Sequence, residues 1–317
     1  MMLETALDVV IGLMVLCLAA WTIRVRDSLA ATAGFIAYGL LLGLVWVRLG
    51  SIDIALTEAA IGGGLTGALL LRAATRLRFQ TQAPQHETMR PASGLIRAIT
   101  ALCCGSVTLA LGALVLNLPD EAATLAPAAA AELARTGVGN PVTAVLLAYR
   151  SLDTLLEMIV LLLALIGVWS LATDDAWGGR AGPQFAQSGG PLPFLAQLLP
   201  PFTVLIGIAL VWIGADAPGG AFQGGTVIAA GWTLVILAGL RPAPRISSRA
   251  LRAALVAGPV FFIAVGFVGA ALWGGFLAYP AGWAKPVIVA VEAMLTLSIA
   301  VTLAMLVAGP PLHGEAR

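Results

Sequence analysis

The chain has 317 residues, of which 60% are hydrophobic and 10% charged, with a formal net charge of +1. Soluble domains carry roughly 25% charged residues, so much of this apolar surface has to face lipid. The composition excludes a soluble enzyme, a disordered chain and, with no basic field, a nucleic-acid binder. The expected fold class is all-α, a polytopic membrane protein.

A membrane span takes about 20 apolar residues. Nine segments meet that need: 5–23, 28–47, 53–73, 96–116, 154–173, 194–214, 223–240, 251–275 and 286–308. Runs such as Leu155 to Leu171 are continuously apolar, which excludes the alternating strands of a closed barrel. Glu4 and Asp8 precede the first apolar run and Arg24 and Arg26 follow it, the reverse of a secretory signal peptide. With the N-terminus outside and the C-terminus cytoplasmic, the inner side holds all of the 17 Lys and Arg except Arg48, Arg135, Arg150 and Lys285, as the positive-inside rule requires.

The third span opens S-I-D-I-A-L-T-E-A-A-I-G-G-G-L-T-G. Asp53 and Glu58 are about 140° apart on a helical wheel, whereas Glu58 and Gly62 share a face. Gly63 and Gly67 form a small-xxx-small pair that admits a neighbouring helix. The polar loop from Arg72 to Arg97 follows. Residues 118–139 are Ala-rich and weakly hydrophobic, a candidate interfacial helix; this loop and the Gly/Pro-rich stretch 178–193 set further boundaries. The predicted modules are 1–80 with three helices, 94–176 with two and 192–310 with four.

In A-Y-R-S-L-D-T-L-L-E, Arg150, Asp153 and Glu157 fall at i, i+3 and i+7, one stripe running from the outer surface into the fifth span. This suits an ion-pair ladder or a cation or proton entrance. Glu157 is one turn inside the apolar run, and a charge at that depth needs a partner, a proton or water. G-A-D-A-P-G-G-A-F-Q-G-G, from Gly214 to Gly225, interrupts the backbone between two spans. Pro218, Gly219 and Gly220 predict a tight turn beside Asp216, and Gly224 and Gly225 permit close packing. No strand or P-loop lysine accompanies it, so the expectation is a turn or re-entrant element packed against other subunits. Glu292 lies two turns inside the last span, with Thr296 on the same face.

Cys17, Cys103 and Cys104 all lie in apolar segments and read as packing residues. His86 and His313 lie in polar segments, so neither a metal site nor a catalytic His set is expected. Nor is a cofactor site. Lys285 is the single lysine, so no span carries a central one.

At these motifs the sequence resembles subunits of Mrp-type Na⁺/H⁺ antiporters and of the related membrane-bound hydrogenases, which share ancestry with the complex I membrane arm. D-I-A-L-T-E-A-A-I-G resembles the D-type pattern D-x-A-L-T-[EQ]-A-x-x-G. N-P-V-T-A-V-L-L-A-Y-R-S-L-D-T-L-L-E resembles the E-type pattern N-x-V-x-x-I-L-x-D-F-R-G-F-D-T-x-G-E. Residues 194–308 resemble the antiporter B subunit, with G-H-N-x-P-G-G-G-F-x-G-G and a late F-[DE]-x-G-V.

The chain departs from these patterns at Ala148, Ser151, Leu156, Ala215 and Ala221. Ala148 and Ala215 replace the usual Asp and His of the ion path. The resemblance implies a fused D-, E- and B-type membrane subunit of a multi-subunit cation/proton-translocating complex. In such a subunit Asp53, Glu58, Arg150, Asp153, Glu157 and Glu292 line the route and Asp216 keeps a role in its loop. Asp153 and Glu157 would offer a transient Na⁺ site and no fixed metal. Expected partners are the large antiporter-like subunits, small C-, E-, F- and G-type subunits, the bilayer of a bacterial inner membrane, H⁺ and Na⁺. Two other readings stay open: a structural adaptor whose carboxylates only dock helices, or a part of a redox- or substrate-coupled complex. A stand-alone secondary transporter would show an internal repeat of broken helices, and the sequence has none.

Overall fold

The computed structural model of the chain describes residues 2–81, 93–119, 124–179, 190–280 and 282–309. His86, Arg90, Asp120, Glu121, Arg180, His313 and Arg317 lie outside them. The described residues form helices and no named strand, with one isolated antiparallel bridge between Gly179 and Ala243. Eight helices are long and apolar enough to cross a membrane, so this is a multi-pass membrane protein. The chain divides into two compact units, Arg76–Ala131 and the remainder, Met1–Thr75 with Glu132–Arg317.

The smaller unit contains α5 (Gly94–Leu116), whose N-terminus is capped by Ser93, and the first half of α6 (Ala126–Thr136). The latter is a helix within the 118–139 stretch.

The larger unit begins with α1 (Met2–Arg24) and α2 (Ser28–Arg48). Asp27 starts α2 by accepting the Ala30 N–H at 2.8 Å, a side-chain cap of the kind that satisfies an orphan donor. Next come α3 (Ile52–Thr57), a π-helical segment Glu58–Thr66 and α4 (Gly67–Thr81), which continue one another as a single rod. After α6 the chain forms the short α7 (Pro141–Ala144), a second π-helical segment Val145–Tyr149 and α8 (Ser151–Trp169). The remaining helices are α9 (Pro191–Gly214), α10 (Ala221–Leu237), α11 (Arg249–Trp273) and α12 (Ala284–Ala308).

Of the nine expected spans, the seventh is the short one. At 17 residues α10 falls below the length of a full crossing. It starts after Gly220 at φ +120 and ends before Gly239 at φ +70. It packs between α9 and α12, so most of its surface meets protein and need not match the lipid thickness.

Small residues set the close crossings. A Cβ on Gly224 of α10 would lie 2.7 Å from the Gly207 carbonyl oxygen of α9, and one on Gly225 would lie 2.7 Å from Ile299 Cγ2 of α12. In α11, Pro259 removes one N–H and crowds the preceding turn. There α12 repairs the ladder: the Gly258 N–H donates to Ser298 Oγ at 2.8 Å, and Ser298 Oγ donates to the Ala254 carbonyl at 2.9 Å. Arg72 of α4 donates from Nη1 to the carbonyls of Val307 and Ala308, covering acceptors that the end of α12 leaves open.

Candidate functional site

The three motif segments meet at one point of the larger unit. Asp53 sits in the first turn of α3 and is buried. Its Oδ1 accepts the Gly219 N–H at 3.0 Å, and the Asn140 amide reaches its two oxygens at 3.4 and 3.5 Å. Gln223 Nε2 donates to Thr57 Oγ1 at 3.0 Å and to the Asp53 carbonyl at 3.4 Å.

Asn140 is the hub, and its sequence explains why. As the residue before Pro141 it is the N-cap of α7, accepting the Val142 N–H on Oδ1 at 2.9 Å. That leaves Nδ2 aimed outward. Besides Asp53, Nδ2 serves the carbonyls of Gly214 at 3.2 Å and Ala217 at 3.1 Å. Thr143 Oγ1 donates to Gly214 O at 2.6 Å, and the N–H groups of Gly139 and Asn140 both donate to Ala215 O, at 2.8 and 3.0 Å. The open carbonyls at the end of α9 are thus satisfied by donors at the start of α7, as buried backbone groups require.

The turn after α9 follows the sequence expectation in its glycines. Gly220 adopts φ +120, and its N–H closes on the Leu210 carbonyl at 2.9 Å. Within this chain the turn packs against α3 and α7. Asp216 at the loop edge pairs with Lys285, Nζ to Oδ2 2.6 Å. The hydrogen bond from the Lys285 ammonium holds the Asp216 carboxyl below its ordinary value, outweighing a small desolvation effect.

Beside this junction lies a cavity of about 450 Å³, with Asp53, Glu157 and Glu292 in its wall together with Thr57, Thr143, Thr154, Gly219, Gly220 and Gln223. Ile54, Ile61, Val142, Leu146, Leu147, Phe222 and Leu295 supply the apolar part. Both π-helical segments contribute to the wall, through Ile61 and through Leu146 and Leu147. The second segment stops at Arg150 and frees backbone acceptors. Thr154 Oγ1 donates to the Leu146 carbonyl at 2.7 Å and the Tyr279 hydroxyl to the Leu147 carbonyl at 2.7 Å.

Glu292 is 4% exposed and its Oε2 has no hydrogen-bond partner. A Cβ on Gly220 would come within 2.9 Å of its Oε1, so the glycine leaves the space this carboxylate occupies. Glu157 lies on the exposed side of the wall. Arg150 and Asp153 form an ion pair at 2.5 Å, with side chains 70% and 46% exposed. This ion pair agrees with their expected spacing, and Glu157 follows Asp153 one turn along α8.

Glu58 is not part of this wall. It curls over its own π segment toward α2, where a Cβ on Gly62 would collide with its Oε1 and one on Gly39 would lie 3.3 Å from the same oxygen. The shared face of Glu58 and Gly62 is as the sequence predicts. Gly63 and Gly67 face α2 as well: a Cβ on Gly67 would collide with Ile36 Cγ1, and one on Gly63 would lie 3.6 Å from the Ile36 carbonyl. Among the described residues no group of His, Cys, Asp and Glu is arranged to hold a metal, and Cys17, Cys103 and Cys104 are free.

Sequence reasoning singled out the glycines and carboxylates but not Asn140, Thr143 or Gln223. The Asn-Pro pair announces a helix start and was the available signal for Asn140. Nothing local marks the other two.

Two family models match the chain. Residues 13–78 match MbhD, the D-type component of MBH, and residues 191–310 match a domain related to the MnhB subunit of Na⁺/H⁺ antiporter. Among solved structures, the chain is similar to one in the Mrp complex from Dietzia sp. DQ12-45-1b, with a TM-score of 0.72 and 23% identity over 97% of this chain and 35% of that one. It is also similar to a chain of the membrane-bound sulfane sulfur reductase, an archaeal respiratory membrane complex, with a TM-score of 0.55 and 24% identity over 67% of this chain and 97% of that one. These likenesses show a shared fold; the chain spans about a third of the length of the Dietzia relative. No curated protein matches the chain.

Proposed function

Because the chain joins a hydrogenase D-type module to an MnhB-related one, we propose that it is a membrane subunit of a multi-subunit Mrp-type or complex-I-like assembly that moves cations and protons. It contributes a hydrophilic route and does no covalent chemistry. The observation that carries this reading is the cavity itself: carboxylates from three separate motifs, Asp53, Glu157 and Glu292, share one wall inside an otherwise apolar bundle.

Intramembrane carboxylates are expensive to maintain and mark ion or proton pathways by default. Asp153 and Glu157 on the outer stripe attract the cation and hold Na⁺ transiently, with Arg150 setting the position of Asp153. Protons pass inward by Glu157, Asp53 and Glu292. Residues 94–176 act as the E-type module that joins the other two. The N-terminus lies outside and the C-terminus in the cytoplasm of a bacterial inner membrane, as the arginine distribution supports. Large antiporter-like subunits and small C-, E-, F- and G-type subunits complete the assembly.

A docking role is favoured for Glu58 alone, by its position against Gly39 and Gly62 and away from the cavity. Glu157→Gln is expected to abolish cation-driven proton movement in membrane vesicles while the subunits still co-purify. Normal transport by that variant overturns the route. Mass spectrometry of proteins retained by the tagged chain tests the assembly: antiporter-like companions support it, and a chain recovered alone defeats it.

A further inference from the structure

The wall of the Asp53–Glu292 cavity has little unused donor capacity. Thr57, Thr143 and Thr154 give their hydroxyl hydrogens to the carbonyls of Asp53, Gly214 and Leu146. Asp53 already accepts the Gly219 N–H and the Asn140 amide. Glu292 Oε2 is buried and unpartnered, and Glu292 is in the cavity wall. Glu157 stands on the open side, and no Lys or Arg lines the space.

An orphaned buried carboxylate oxygen calls for a donor or a positive charge. Ile54, Ile61, Leu146, Phe222 and Leu295 give the space a large apolar lining. A volume of about 450 Å³ falls within the roughly 300–1,000 Å³ of small-molecule sites, which pair apolar walls with a few placed polar groups.

We propose that this cavity binds an organic monocation with an ammonium or amidinium head and an apolar body, the head on Glu292 and the body among the leucine, isoleucine and phenylalanine side chains. Its N–H groups give Oε2 the charge-assisted bond it lacks, and Phe222 lines the same space. Binding of this kind uses carboxylates of the proposed route but does not require that ions move along it.

Benzamidinium serves as the probe and neutral benzamide as its uncharged control, titrated calorimetrically into the full-length chain in its native assembly. Benzamidinium is expected to bind saturably and benzamide not at all. Removing a charge-assisted bond worth about 1.5–3 kcal/mol weakens Glu292→Gln by about tenfold or more. Leu146→Trp, which fills the cavity from a 38% exposed position, abolishes binding without touching a carboxylate.

Absence of saturable benzamidinium binding, equal binding of benzamide, or unchanged affinity in both variants overturns the site. Transport by the Glu292→Gln preparation separates the two readings. Lost binding with normal transport removes Glu292 from the proton route and leaves the site; lost transport with no benzamidinium binding to the wild type does the reverse.

Discussion

Glu58 and Glu292 are both glutamates in apolar helices beside a glycine, and they occupy opposite environments. Around Glu58 the glycines of α2 and the π segment bring two backbones together, so that a Cβ on Gly39 would lie 3.0 Å from the Gly63 nitrogen. The carboxylate fills what space remains. Around Glu292 the glycine lies in a turn, and the side chain borders a cavity shared with Asp53 and Glu157. Two carboxylates in apolar helices thus differ in the space and polar groups beside them, and only Glu292 adjoins a cavity.

The sharpest break of this contrast is in transport. Glu157→Gln or Glu292→Gln should reduce it to background in vesicles, whereas Glu58→Gln should leave it near wild type. Loss in all three would merge the two environments. Next in size is Asn140→Ala, which strips donors from Asp53 and from the buried carbonyls of Gly214 and Ala217. Each buried acceptor left bare costs about 1–3 kcal/mol, so a loss of about 3 kcal/mol is expected in thermal unfolding of the purified protein.

Glycine replacements then distinguish backbone from side-chain contacts. Gly224→Ala meets the Gly207 carbonyl and should destabilise by about 1–3 kcal/mol. Gly67→Ala meets the movable end of Ile36 and should destabilise less, while bulkier residues at Gly63 or Gly67 prevent assembly. Tyr279→Phe leaves the Leu147 carbonyl bare at the edge of the cavity, and a fall of about 1–2 kcal/mol in the same unfolding experiment is expected.

The smallest effect lies outside the cavity, at Asp216. Its carboxyl is held below the ordinary value by Lys285, so the pair's stabilisation is complete above the unfolded value, near 3.8, and fades as pH falls through the lower folded one. Exposure of both side chains keeps this slight. Asp216→Asn should flatten the acid limb of the unfolding temperature against pH and leave neutral stability almost unchanged.

Much of this was legible in the sequence. Long apolar runs place eight helices, and the 3.6-residue spacing puts Arg150, Asp153 and Glu157 on one stripe and Glu58 over Gly62. The short length of α10 was legible, but its bounds were not: the helix begins at Ala221 and ends at Leu237, two and three residues before the expected 223–240. The π segments leave no mark either: one extra residue per turn changes facing but not composition. Asn140, Thr143 and Gln223 were missed because their partners are 71 to 170 residues away in sequence, and spacing within one helix says nothing about donors from another.

The hydrogen bonds that close the end of α9 have a bearing on biogenesis. Their donors, Gly139, Asn140 and Thr143, and the carboxylate that takes the Gly219 N–H, all belong to stretches synthesised before that turn. If the stretches that carry these groups were separate polypeptides, they would have to find one another by diffusion in the bilayer and hold together by these few contacts. Covalent linkage replaces that search with an effective concentration in the millimolar range for short linkers. The joint can then consist of individually modest bonds, and the stoichiometry of the stretches is fixed as each chain is translated.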